Sequence, residues 1–216
     1  TDWQKEIYDN AFTTDNNLSV SGSYKVLPYR VSLGYLNQDG ILKTGNLERK
    51  SASVSLTPRL FDDHLKIDLN LKGSISNSRF ADETAIGNAV RFDPTQPVFS
   101  GSKRFGGYFE WLDPFSTTGL RKLAPINPVG MLEQKEDKSD VKRSIGNIQF
   151  DYKLHFLPDL HVNLNLGYDV SKGEGTIYVP DSAASSYLRS PDAKHGGVNN
   201  QYKQKKSNTL LESYLN

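Results

Sequence analysis

Apolar and polar residues alternate along most of this chain with a period of two. From residue 65 the apolar set occupies the odd positions and the polar set the even ones: Leu65, Ile67, Leu69, Leu71 and Ile75 against Lys66, Asp68, Asn70, Lys72 and Ser74. The same alternation recurs in residues 29–35, 52–57, 148–156 and 160–171. Because successive side chains of a β-strand point to opposite faces, the pattern predicts strands with one apolar and one polar face.

Seven strands are predicted, and the fold class is all-β. Their approximate ranges are 16–25, 27–38, 47–60, 64–79, 143–156, 159–172 and 205–216. Several exceed the five or six residues usual for a soluble strand. The order of the strands predicts an antiparallel up-and-down meander.

Tight and long connections alternate along this meander. The tight ones lie at residues 25–28, 61–64 and 157–159, and the long ones at 39–46, 80–142 and 173–204. This places every tight turn on one rim of the sheet and every long loop on the other. Outer-membrane β-barrels have this asymmetry, with short periplasmic turns and long extracellular loops.

Two other classes of protein have similar strands. A soluble β-sandwich or lipocalin-like carrier also has one face toward water, and a secreted or surface β-rich module with an aromatic loop would bind glycans. Strand length, aromatic residues near strand ends and the loop asymmetry favour a membrane barrel. The insertion at 80–142 is also longer than a compact soluble domain usually carries.

Composition excludes several functions. The chain has 26 basic and 25 acidic residues, so nothing indicates a nucleic-acid partner. It has no cysteine, and its four histidines lack the spacing of a metal site, so we expect no cofactor and no metal. No run approaches the ~18 apolar residues of a transmembrane helix.

The ends of the chain resemble the interior of a longer sequence. Thr1 is not preceded by a signal peptide, and residues 210–216 have the pattern of a strand in progress. We therefore expect residues 1–216 to be one part of a larger barrel domain, with the loop 80–142 within it.

Several stretches resemble the SusC/RagA family of TonB-dependent transporters. The most specific is Leu27-Pro28-Tyr29-Arg30-Val31-Ser32-Leu33-Gly34-Tyr35, followed by Asn37-Gln38-Asp39-Gly40. Other stretches with sequences similar to the family's lie at residues 1–7, 17–22, 80–82, 92–98 and 210–216. The matches follow the family's order through nearly the whole chain.

The resemblance implies a transmembrane barrel of 22 strands in the bacterial outer membrane, with a plugged lumen. Members of the family import oligosaccharides, or sometimes peptides. They work with a SusD/RagB-like surface lipoprotein as a lid, and TonB supplies the energy. The sequence departs from the family in extent, since it has no plug, no TonB-interacting segment and about a third of the strands. Transport is therefore expected of the full protein and not of this segment alone.

No catalytic constellation is present, and we expect no enzyme activity. Asp62 and Asp63 are adjacent on a tight turn, where turn chemistry explains them. Asp82 and Glu83 precede the helix-compatible stretch 84–91 and are interpreted as its N-terminal cap and first-turn acid.

The aromatic loop 92–115 supplies the candidate ligand contacts. Aromatic faces beside carboxylates suit sugar rings, and the residues selected are Tyr108, Phe109, Trp111 and Asp113. The alternative is that these aromatic side chains pack the loop against itself, the plug or the lid. On the strands, Lys66, Asp68, Asn70 and Lys72 are expected to face a hydrated lumen or the plug.

Overall fold

The computed structural model describes residues 1–116, 118–187 and 196–216, and an eight-stranded antiparallel sheet dominates it. The strands are β1 (Thr13–Tyr24), β2 (Leu27–Asp39), β3 (Asn46–Leu56), β4 (Arg59–Leu60), β5 (Leu65–Arg79), β6 (Glu136–Lys153), β7 (His161–Val179) and β8 (Val198–Leu215). The order β1-β2-β3-β5-β6-β7-β8 follows the chain, with β4 paired to β5. This confirms the predicted meander.

The register separates the two faces of the sheet across all seven long strands. Val20 lies opposite Val31, Val31 opposite Val54, and Val54 opposite Leu71. We call this side, which carries Leu65 to Ile75 at the odd positions of β5, the apolar face, and the other side the polar face. Large side chains of the apolar face are open to the surroundings, with Leu33 53% and Leu211 71% exposed.

One predicted strand is divided. The range 47–60 forms β3 and the two-residue β4, with Thr57 and Pro58 between them. Proline has no backbone N–H to donate to the ladder, so pairing is interrupted there. The Pro58 carbonyl still accepts a hydrogen bond from Ile67, and the short β4 resumes the pairing.

Three strands extend further toward the long-loop rim than the sequence predicts. β6 begins at Glu136 instead of near 143, β7 continues to Val179, and β8 begins at Val198. The predicted loop 80–142 is therefore a loop of residues 80–135. Residues 136–142 are polar at nearly every position, so they form a paired strand without the alternation by which strands are recognised.

The tight turns lie together at the opposite rim. β1 and β2 are joined by Lys25 and Val26 alone, with Lys25 at φ 54°. Between β4 and β5, Phe61, Asp62 and Asp63 all have positive φ. The two aspartates therefore belong to a turn, as the sequence predicts.

The helices belong to the long-loop rim. They are α1 (Trp3–Ile7), α2 (Thr84–Arg91), α3 (Pro128–Gln134) and α4 (Ala184–Tyr187), with a 3-10 turn at Arg104–Gly107. The range of α2 matches the predicted helix-compatible stretch.

Within the described ranges, none of the helices has the length and apolar character needed to cross a membrane.

Candidate functional site at the long-loop rim

A small folded unit caps one end of the sheet. It consists of residues 80–135 together with α1 and Leu42, and we call it the loop module. Nine buried apolar residues form its main cluster: Trp3, Ile7, Leu42, Ala85, Ala89, Phe92, Val129, Met131 and Leu132. The long loop therefore has a hydrophobic core of its own.

Aromatic rings join α1 to the candidate ligand segment. The Trp3 and Phe92 ring centroids are 4.4 Å apart, and the Trp3 Nε1–H donates to the Asp93 carbonyl at 2.9 Å. Phe109 meets Phe92 edge-on at 6.3 Å and Trp111 edge-on at 5.5 Å. Such tilted and edge-to-face contacts are the favoured geometry of aromatic pairs.

Asn127 connects three segments of the module. Its side-chain amide donates to the Val98 carbonyl at 2.9 Å and the Phe109 carbonyl at 3.2 Å. Its Oδ1 accepts the backbone N–H groups of Val129 and Gly130 and so caps α3. The residue is fully buried, and the amide uses both its donors and its acceptor.

Glu110 lies beside this cap in an apolar environment. The carboxylate accepts the backbone N–H of Asn127 at 3.1 Å, and the residue is 8% exposed. Burial raises the pKa of Glu110 to about 8, while the hydrogen bond from Asn127 opposes that shift. At neutral pH the Glu110 side chain is therefore predominantly a neutral acid.

An ionic contact fastens the module to the sheet. The buried Asp82 carboxylate lies 3.5 Å from the Lys135 ammonium, and Asp137 at the start of β6 lies 3.8 Å from the same nitrogen. Asp82 also accepts hydrogen bonds from the backbone N–H and the hydroxyl of Thr84. The predicted roles of the two acids are therefore wrong: Glu83 is the N-cap residue of α2 and makes no side-chain cap bond, and no acid lies in the first turn. Asp82 lies one residue earlier and bonds Thr84, the first helical residue, because its carboxylate is drawn to Lys135.

The four candidate ligand contacts belong to one extended segment of the module and differ in their surroundings. Tyr108, Phe109 and Trp111 are partly buried against the hydrophobic cluster. The Tyr108 ring also packs on Phe99 at 5.2 Å. Asp113 accepts the backbone N–H of Phe115 at 3.0 Å within a turn. The three aromatic residues thus pack the loop, and each keeps an accessible part; contact with a ligand stays a prediction.

A second loop packs against the module. Phe105, Leu120 and Ala184 form a smaller buried cluster, and Phe105 meets Tyr187 edge-on at 5.8 Å. Two apolar side chains of the module, Phe115 and Leu123, are almost fully open to the surroundings, at 98% and 99% exposed.

Ion pairs and open cations share the polar face. Lys66 pairs with Asp68 at 2.8 Å, and Arg143 makes a two-bond contact with Asp169 at 2.9 and 2.6 Å. A polar trough of about 340 Å³ runs over the strands beside them, between Asp15, Arg49, Lys72 and Arg143. Charges placed in this way agree with a hydrated lumen, as expected for Lys66, Asp68, Asn70 and Lys72.

Asn127 and Glu110 are the residues of the module that sequence reasoning did not single out as structural. Asn127 precedes Pro128, and an Asn-Pro pair is a recognisable helix start, with asparagine as the cap and proline in the first turn. Burial of Glu110 has no such signal, because it follows from contacts with residues distant in the chain.

Over residues 1–116, 118–187 and 196–216 there is no group of three acidic or histidine side chains that could hold a metal ion.

Comparison with curated sequences gives three matches, all TonB-dependent receptors. The chain is 40% identical over 229 residues to the TonB-dependent receptor SusC of Bacteroides thetaiotaomicron, a match that covers 100% of this chain and 22% of the relative. It is 24% identical to the TonB-dependent receptor P26 of Formosa agariphila, over 93% of this chain and 20% of that protein. The chain spans about a fifth of the length of these relatives. No family model matches the chain.

Solved structures give the same architecture. The RagAB peptide importer in its closed-closed state matches 99% of this chain and 23% of its own, with a TM-score of 0.67 and 19% identity. The open-open state of the same importer matches with a TM-score of 0.66. The sheet with its loops therefore has the fold of a segment of that barrel. The curated relatives are receptors and not enzymes, as expected from the sequence.

Proposed function

This chain belongs to the SusC/RagA family of TonB-dependent outer-membrane receptors, in which it corresponds to a barrel segment, and we propose that the full protein imports oligosaccharides or peptides across the outer membrane. The observation that carries the proposal is the 40% identity with the SusC receptor across all of this chain. The two-faced meander supports it, because a barrel wall needs an apolar side toward lipid and a polar side toward the lumen.

In this proposal the strands form part of the wall and the loop module forms part of the extracellular entrance. Import would be active, with TonB acting on parts of the protein outside this segment. A SusD/RagB-like lipoprotein would cover the entrance as a lid. Phe115 and Leu123 of the loop module, which are apolar and almost fully exposed, would then be covered by the lid.

We assign the ligand-contact role to Tyr108, Phe109, Trp111 and Asp113. The accessible parts of the aromatic rings offer surfaces for the C–H groups of a sugar ring or for apolar peptide side chains. Asp113 would accept hydrogen bonds from hydroxyl or amide groups. A module with its own buried core would hold these side chains in place before the ligand arrives.

The import proposal is tested by deleting the gene that encodes the full receptor and measuring uptake of labelled oligosaccharides and of labelled peptides by intact cells. We expect loss of uptake of one class, restored by the wild-type gene and abolished again when TonB is inactivated. Unchanged uptake of both classes would contradict the proposal.

The ligand-contact assignment needs a separate measurement. Trp111→Ala and Tyr108→Ala in the full receptor should weaken binding of the imported ligand by at least about tenfold, since tryptophan and tyrosine are enriched among the contact residues whose truncation costs about 2 kcal/mol or more. Phe80→Ala, an exposed aromatic residue on the strand side of the module, is the matched control. Affinity unchanged in both Trp111 and Tyr108 variants would refute the assignment.

A further inference from the structure

The apolar face of the sheet ends in a row of lysines. The register places Lys50 opposite Ile75, Ile75 opposite Lys142, Lys142 opposite Lys172, and Lys172 opposite Lys205. Residues directly opposite each other in antiparallel strands project to the same side. Lys50, Lys142, Lys172 and Lys205, which we call the lysine row, therefore share the face that carries Val31, Val54 and Leu71.

The lysine row stands at the limit of the apolar belt. Moving toward the long loops along the apolar face, one passes Val54, Ala52 and then Lys50 on β3. On β7 the same direction gives Tyr168, Val170 and then Lys172. Beyond the row, toward the long loops, the same face carries charged and amide side chains such as Glu48, Asn77 and Asp140. The lysines thus occupy the level where hydrocarbon gives way to polar surroundings, on the side of the long loops.

A trough opens directly beside these lysines. It has a volume of about 700 Å³ and lies over β3, β5 and β6, with Ala52 and Gly73 as its low floor and Leu33 and Val170 at its sides. Lys50, Lys142 and Lys172 border it. No atom lies within 4 Å of the position that a Cβ would take at Gly73, so the floor is open toward the surroundings.

The charged side chains that border the trough are all basic, and the acids of this face, Glu48, Asp140 and Glu174, lie one step further toward the long loops. Lys50 pairs with Glu48 at 3.0 Å and Lys172 with Glu174 at 2.7 Å, and each glutamate lies one step further from the trough on the same face. Within the described ranges Lys142, between them, makes no ion pair. A cation at the hydrocarbon boundary lowers its energy by reaching an anionic group there, because its methylene stem packs on apolar surface while its ammonium stays polar.

We propose that this trough and the lysine row form a binding site for a phosphorylated, multiply acylated lipid of the outer leaflet, that is, for lipid A. Acyl chains would occupy the apolar trough, and the lipid phosphates would contact Lys50, Lys142 and Lys172. The trough spans three strands, about 10 Å at the usual strand spacing, which is wider than one acyl chain. Its position on the long-loop side selects the outer leaflet. The site depends on the apolar face meeting lipid and not on what the receptor imports.

The test uses the full-length receptor in detergent, titrated with lipid A 1,4′-bisphosphate or with the same lipid after removal of its phosphates, with bound lipid counted by native mass spectrometry. Wild-type protein should bind the bisphosphate about tenfold more tightly than the dephosphorylated lipid, as expected for three solvent-exposed charge contacts acting together. The triple variant Lys50→Gln, Lys142→Gln, Lys172→Gln should lose that preference.

Two further variants make the outcome specific. The first is a triple variant that removes the same charge from the polar face: Arg30→Gln, Arg49→Gln, Lys72→Gln. Its affinity for lipid A should stay within about twofold of wild type, because cations on that face are far from the lipid. Gly73→Leu fills the trough and should weaken binding of both lipids. The heat-dependent shift of the barrel in gel electrophoresis shows that each variant is folded.

Phosphatidylglycerol is titrated in the same way as a third lipid. Three results would overturn the proposal: wild-type affinity in the folded lysine variant, an equal loss in the polar-face control, or equal affinity of the wild-type protein for phosphatidylglycerol and lipid A. The last would identify the site as a general surface for anionic phospholipids. Nutrient uptake is not measured in this experiment, so its outcome is independent of the import proposal.

Discussion

Asn127 donates its backbone N–H to the Oε1 atom of Glu110 at 3.1 Å, and both residues are buried in the loop module. The same asparagine caps α3 and holds the carbonyl groups of Val98 and Phe109. One buried acid and one buried amide thus support the segment that carries the candidate ligand contacts. Glu110 should make the stability of the module depend on pH, and Asn127 should determine its resistance to proteolysis.

The stability of the loop module should decrease as pH rises. Burial raises the pKa of Glu110 from its ordinary 4.5 to about 8. Between these two values the folded module holds a proton on Glu110 that the opened module releases. The contribution of this proton to the free energy of opening is therefore complete below pH 4.5 and is lost progressively up to about pH 8, by a few kcal/mol at most. Glu110→Gln should remove this dependence. Hydrogen exchange of the Val129 and Gly130 amides, corrected for intrinsic rates, measures it between pH 5 and pH 9, and parallel curves for the two proteins would contradict the prediction.

Loss of the Asn127 side chain should open the module. Asn127→Ala leaves two helix N–H groups and the Phe109 carbonyl without partners, while the Val98 carbonyl keeps the backbone N–H of Phe109, at a cost of about 2–4 kcal/mol. Asn88→Ala is the graded control, because Asn88 bridges only the Ile126 N–H and the Thr84 carbonyl. Limited proteolysis of the full receptor should cut the Asn127 variant within residues 80–135 faster than the Asn88 variant. The reverse order would refute the central role of Asn127.

Asp82 and Glu83 should respond differently to the same substitution. Asp82→Ala removes the hydrogen bonds to Thr84 at the start of α2 and leaves the half-enclosed Lys135 with Asp137 alone, so we expect a loss of about 1–3 kcal/mol in module stability. Glu83 is exposed and makes no cap bond, so Glu83→Ala should change stability by less than about 0.5 kcal/mol. Hydrogen exchange across Ala85–Ala89 compares the two. Equal effects would show that the buried ion pair contributes nothing.

Two glycines of the apolar face should differ in tolerance. A Cβ at Gly146 would lie 2.5 Å from the Tyr168 ring and 2.7 Å from the Leu71 side chain, whereas a Cβ at Gly73 meets nothing within 4 Å. Gly146→Val should therefore cost about 1–3 kcal/mol by overpacking, while Gly73→Val should be close to neutral. The urea midpoint of the folded barrel, followed by gel mobility, distinguishes them. A larger loss for the Gly73 variant would contradict this packing.

The sheet was predictable where one face meets lipid. The alternation through Leu65, Ile67 and Leu69 determined both the strand and its register, because a slip of one residue would exchange the two faces. The prediction failed where both faces are polar. Residues 136–142 carry no alternation, yet they pair with β5 and β7 through backbone hydrogen bonds that any side chain permits.

The candidate site was only partly predictable. The aromatic enrichment near Trp111 identified the segment, and Asn127 before Pro128 was an available but unused helix signal. The contact of Trp3 with Phe92 joins residues far apart in the chain, and no local pattern encodes it. The burial of Glu110 depends on such contacts, so its raised pKa is a property of the fold.

The long strands β6 and β7 have one more consequence. At 18 and 19 residues they measure about 60 Å along the strand, well beyond an apolar belt about 25 Å tall. The loop module is thus attached directly to hydrogen-bonded strands and not to flexible linkers. A ligand reaching Trp111 would meet a surface already ordered, so little conformational entropy would be lost on capture.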